Sequence, residues 1–117
     1  IAVDAERGEV YVTNDTTDAI LVFDAEASGN VVPKRTLKGA RTGLKNPTGL
    51  ALDLKNNELW VANFGGHTAT AYRLNASGDV APLRTIRAAT EGTPSLMIGN
   101  PGAVAFDTKR EEILTPN

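Results

Sequence analysis

Ile1-Ala2-Val3-Asp4 returns as Leu50-Ala51-Leu52-Asp53 and again as Val104-Ala105-Phe106-Asp107, so the aspartates at 4, 53 and 107 are spaced by 49 and 54 residues. Five residues after each aspartate stands a glutamate: Glu9, Glu58 and Glu112. Each glutamate opens a hexad that closes on asparagine, at Asn14, Asn63 and Asn117. Ala27-Ser28-Gly29-Asn30-Val31-Val32-Pro33 is answered by Ala76-Ser77-Gly78-Asp79-Val80-Ala81-Pro82, and Arg35-Thr36-Leu37 by Arg84-Thr85-Ile86, both at the spacing of 49. The register slips only in the Gly/Pro/Ser/Thr-rich stretch 90–99, which carries five extra residues before Asn100-Pro101 answers Asn46-Pro47. Self-similarity at such a period marks units that bury their apolar faces only by stacking on one another.

Each unit reads as four short strands. Strand A (1–4) is followed by the turn Glu6-Arg7-Gly8, and strand B (9–13) is rich in β-branched and aromatic residues. Strand C (19–24) and strand D (34–38) complete the unit, with 69–74 and 83–87 as their counterparts. Turn residues interrupt every helical candidate. Val10-Tyr11-Val12 and Ile20-Leu21-Val22-Phe23 are apolar at consecutive positions, as in strands covered on both faces. The prediction is an all-β fold of β-propeller blades, each of four antiparallel strands. Blade 1 with its connecting loop takes 1–49, blade 2 with a longer loop takes 50–103, and 104–117 forms the first half of blade 3. Two and a half blades do not close a ring, so the chain is expected to be a segment of a six- or seven-bladed propeller or to assemble from copies.

Tyr11-Val12-Thr13-Asn14 is the tetrapeptide of the YVTN propeller repeats. Asn46-Pro47-Thr48-Gly49-Leu50-Ala51-Leu52-Asp53, followed by Leu59-Trp60-Val61-Ala62-Asn63 and by Gly66-His67, resembles the NHL repeat. Asn63 stands where that repeat has an aspartate, His67 stands at its histidine, and Thr68 replaces its arginine. The first blade departs further, with Asp18 at the histidine position. The resemblance implies blades of this type, with a ligand-holding face around the mouth of the channel, and an exported or cell-surface setting of bacterial type.

Composition narrows the chemistry. Twelve basic against fourteen acidic residues give a net charge of −2, which argues against nucleic acid as the main partner. No apolar run approaches the length of a membrane span. Without cysteine there is neither a disulfide framework nor a thiolate site, and a single histidine excludes a His-based metal cluster within the chain.

An antiparallel meander sends the B–C and D–A loops to one end of the blades and the A–B and C–D turns to the other. The candidate ligand-binding face therefore gathers Asn14, Asp15, Asp18, Asn46, Asn63, Phe64, His67 and Asn100. Asn14, Asn63 and Asn117 read either as convergent amide ligands, for example to calcium, or as strand ends that hydrogen-bond their own loops; their recurrence favours the second. No cofactor is expected, and calcium would need carboxylates from further blades. Asp4, Asp53 and Asp107 read as turn residues, and the glutamates that open strand B share that reading. Tyr11, Trp60 and Leu114 share one slot and read as core. Ser28 and Ser77 lie on the face opposite His67, which excludes a Ser–His pair within a blade. Asn14-Asp15-Thr16 and Asn75-Ala76-Ser77 are formal glycosylation sequons. Lys34, Arg35, Lys38, Arg41 and Lys45 are expected to solvate the rim and to keep the strand D edge from pairing. The residues name no catalytic group. They favour a non-enzymatic module for protein interaction or assembly, whose partners are proteins or further blades or copies of the same protein. The alternative is part of a lactonase- or lyase-like enzyme with a metal site completed by blades outside the segment.

Overall fold

The computed structural model describes residues 1–87, 90, 92–93 and 98–116. Its ten strands fall into two four-stranded antiparallel meanders and one hairpin. Blade 1 is β1 (Ala2–Asp4), β2 (Glu9–Asn14), β3 (Ala19–Asp24) and β4 (Arg35–Lys38), hydrogen-bonded in chain order. Blade 2 is β5 (Pro47–Asp53), β6 (Glu58–Asn63), β7 (Thr68–Arg73) and β8 (Arg84–Ile86), in the same order. β9 (Ala105–Asp107) and β10 (Glu112–Leu114) form the hairpin that begins the third unit. No helix long and apolar enough to cross a membrane occurs among the described residues.

The repeat is visible in the backbone. Gly8, Asn57 and Glu111 fill one slot of the A–B turn, and all three adopt positive φ, at 64°, 56° and 55°. Asp4, Asp53 and Asp107 hold that turn, each carboxylate accepting backbone N–H groups two or three residues on. They are the turn residues expected from sequence. Asp18 and His67, equivalent in the B–C turn, are likewise left-handed, at 50° and 55°. That slot selects a short polar residue able to tolerate αL, so aspartate and histidine serve the turn alike.

Two cores alternate with the blades. Tyr11, Ile20, Val22 and Leu37 of blade 1 pack against Leu59, Val61, Tyr72 and Leu74 of blade 2. The other side of blade 2 carries Ala51, Trp60, Ala62, Ala69 and Ala71, against which Val104, Phe106 and Ile113 pack. Consecutive residues of β6 thus serve opposite cores, which explains the unbroken apolar run. The alanines admit a close neighbour: a Cβ on Gly49 would lie 2.6 Å from the Ala103 Cα. In blade 1 only one face is covered, and Val3 is 58% exposed. Tyr11 and Trp60 are buried as expected, whereas Leu114 is exposed, because no described strand covers its side of β10.

Candidate functional site

Loop chemistry gathers at one end of the blades. The loop from β4 to β5 wedges between the B–C turns of both blades: the Asn46 N–H donates to Asp18 Oδ1 at 2.6 Å, and its side-chain amide donates to the Asp15 carbonyl at 3.4 Å. On its other flank the N–H groups of Phe64 and Gly65 donate to the carbonyls of Asn46 and Lys45. The loop before β9 repeats the contact. Asn100 donates to the Phe64 carbonyl at 2.8 Å, and His67 Nδ1 donates to the Gly99 carbonyl at 2.5 Å.

Asn46 thus joins the turns that carry Asp15, Asp18 and Phe64, and Asn100 and His67 join the next loop to blade 2; Asn14 and Asp15 bond within their own turn. Asn14 Oδ1 accepts the Thr17 N–H. Asn63 is fully buried: its Oδ1 accepts the Lys45 N–H at 3.2 Å, while its amide donates to Thr68 and Thr70 Oγ1 at 3.2 and 2.9 Å. Asn117 lies outside the described residues. Calcium takes six to eight oxygens, and the described residues do not supply them on this face: Asn14 Oδ1, Asp18 Oδ1 and Asn63 Oδ1 accept backbone amides, which leaves too few carboxylate oxygens. No group of three metal-ligating side chains occurs among the described residues. Phe64 is exposed and rims the face.

The opposite end holds a cleft that the sequence reading passed over. It lies between blades 1 and 2, has a volume of 450 Å³, and is lined by Arg7, Glu9, Tyr11, Arg35, Asn57, Arg73, Leu74 and Asn75. At its floor Arg35 binds Glu9 with two parallel bonds of 2.9 Å and donates a third to the Leu74 carbonyl of the next blade. Lys34 Nζ adds a 3.0 Å contact and the Tyr11 hydroxyl one of 2.9 Å. Arg35 leads in holding the Glu9 carboxyl down at about 2, against the cost of its burial, and burial pushes the Tyr11 phenol up to about 12. One blade on, Glu58 pairs with Arg84 through a single contact on a half-exposed guanidinium, which is set 5.2 Å over the Trp60 ring. The shared 49-residue spacing of these Glu and Arg pairs was the signal available in the sequence.

The charges on strand D also act differently from the expectation. Arg35 turns inward to Glu9 rather than solvating the rim, whereas Lys34 reaches Glu9 and stays exposed. The β4 edge is not kept free: the Gly78 N–H donates to the Thr36 carbonyl at 2.8 Å, and the Lys38 N–H donates to the Gly78 carbonyl at 3.1 Å. The C–D turn of blade 2 thus hooks over the outer strand of blade 1, in a parallel bridge between Leu37 and Gly78. Asp79 fastens the hook by accepting the Arg41 N–H at 2.8 Å.

The antiparallel four-stranded meanders agree with what the family comparison finds: the model of one family, the SMP-30/gluconolactonase/LRE-like region, matches residues 1–102. The chain belongs to that family. It is a family of six-bladed propellers related to those of NHL and YVTN type, and it is this match, not one to the NHL repeat itself, that places the chain. No curated protein matches the sequence.

Proposed function

We propose that this chain is a propeller module for protein assembly, which works by fastening blades edge to edge. One observation carries the reading. Leu37, under the hook of blade 2, is 2% exposed, whereas Ile86 in the same repeat slot of β8 is 39% exposed. The matching hook of blade 1, residues 27–30, is exposed throughout. Ala76 and Val80 of the seated hook pack on the core, while their counterparts Ala27 and Val31 face solvent. The two surfaces are of one repeated design, so the occupant that each supports is a further blade of this repeat, in the same protein or in a second copy. An exported or cell-surface setting belongs to the same proposal and is supported by the YVTN tetrapeptide. Light scattering on the chain tests it. The mass is expected to rise above 12.3 kDa with concentration, and Arg87→Pro, which removes the N–H equivalent to that of Lys38, is expected to suppress the rise. A 12.3 kDa monomer at all concentrations, or association indifferent to the substitution, would overturn it.

The family match favours a second reading, a part of a lactonase-type propeller. Hydrolysis of a simple sugar lactone by the chain above the spontaneous rate would select it. Among the described residues the loop face brings together no acid–base pair to which a step can be assigned.

A further inference from the structure

The two inter-blade clefts are built on one plan and carry opposite charge. Between blades 1 and 2 the lining holds three arginines, Arg7, Arg35 and Arg73, against Glu9 alone. Between blade 2 and the β9–β10 hairpin the lining holds Asp53, Glu58, Glu111 and Glu112 against Arg84 alone. Part of the difference comes from positions where the repeat is broken: Arg7 answers Asn56, and Asn57 answers Glu111. Arg73, on the blade 2 side of the first cleft, stands where blade 1 has Asp24. Glu9 and Glu58 recur because each holds an arginine of its own blade; Arg73 has no counterpart of its own charge in blade 1.

Within the first cleft Glu9 is saturated by Arg35, Lys34 and Tyr11, and Arg7 is shared between Asp4 and Asn57 across the blade boundary. Arg73 is exposed at the cleft, and its guanidinium has no hydrogen-bond or ion-pair partner among the described residues. We infer that this cleft is a binding site for a small oxyanion, a carboxylate or phosphate group, held between the guanidinium groups of Arg73 and Arg7 with the side-chain amides of Asn57 and Asn75 beside them. A volume of 450 Å³ suits a small molecule, and guanidinium forks match the planar or tetrahedral oxygens of such groups. The inference is independent of the assembly reading.

Isothermal titration of the chain with inorganic phosphate and, separately, with acetate, against chloride at equal ionic strength, tests it. Saturable one-to-one binding is expected, weakened about tenfold by Arg73→Gln. That substitution is at an exposed, unpartnered side chain, and an unchanged circular dichroism melt will establish that the variant folds. Binding of phosphate alone assigns a phosphoryl ligand, and of acetate alone a carboxylate. No saturable binding of either, or equal affinity in the variant, overturns the site.

Discussion

Replacing Glu9 by glutamine tests the Glu–Arg clasp that joins blades 1 and 2. The Glu9 carboxyl is lowered from 4.5 to about 2, which corresponds to about 3 kcal/mol in favour of the ionised form in the folded chain. Because the folded value is depressed, that stability is fully present above pH 4.5 and is lost as the pH falls toward 2. Glu9→Gln keeps the volume but removes the charge, and turns an amide N–H toward Arg35, Lys34 or Tyr11. The expected loss at pH 7 is about 2–4 kcal/mol, or roughly 10 °C in Tm. Thermal unfolding of both proteins at pH 7 and pH 3, followed by circular dichroism, supplies the assay. By pH 3 the wild type has surrendered about half or more of the contribution, so the gap between the two curves should close to less than half. A gap of equal size at both pH values would refute the reasoning, because it would mean that glutamine costs packing rather than charge.

Three further outcomes follow from the geometry. Gly49→Ala should cost about 1–3 kcal/mol, read as a drop in Tm, because the new Cβ would meet the Ala103 backbone at 2.6 Å; an unchanged Tm would show that the hairpin moves aside freely. Spectrophotometric titration near 295 nm should find both tyrosines, Tyr11 and Tyr72, ionising near 12 rather than 10, the stability from their burial being retained below pH 10 and lost as the pH passes 12; a normal transition in the folded protein would contradict their burial. Asn63→Asp should lower Tm, because it forces a carboxyl into a buried site whose neighbours are arranged for an amide donor, and added calcium should not restore it; restoration would return Asn63 to the role of a metal ligand.

What was legible in the sequence was whatever repeats. The spacings of 49 and 54 place every A–B turn and every aspartate that holds one, because a local turn is determined by residues within a few positions of each other. The grouping of Asn46 with Asp18, and of Asn100 with Phe64, also followed from topology alone, since a meander fixes which loops share an end. The consecutive apolar residues at 10–12 and 20–23 announced strands covered on both faces; β6 of blade 2 is covered so, whereas in β2 and β3 Val10, Val12, Leu21 and Phe23 are only half-buried. These runs did not predict that Val3 would stay exposed, because burial depends on which neighbour arrives.

The tertiary structure decided how the polar groups are used. Glu9 and Arg35 are 26 residues apart, and only the pairing of β2, β3 and β4 brings them to bidentate distance. Asn63, an open candidate as a ligand in the sequence, became a buried structural bridge once Lys45, Thr68 and Thr70 closed round it. The hook that covers β4 depends on a backbone N–H and C=O of Gly78, groups that every residue but proline carries and that no side-chain pattern announces. Local order is written in neighbouring residues; charge pairing and edge-to-edge contact are written in distances that exist only after the blades have stacked.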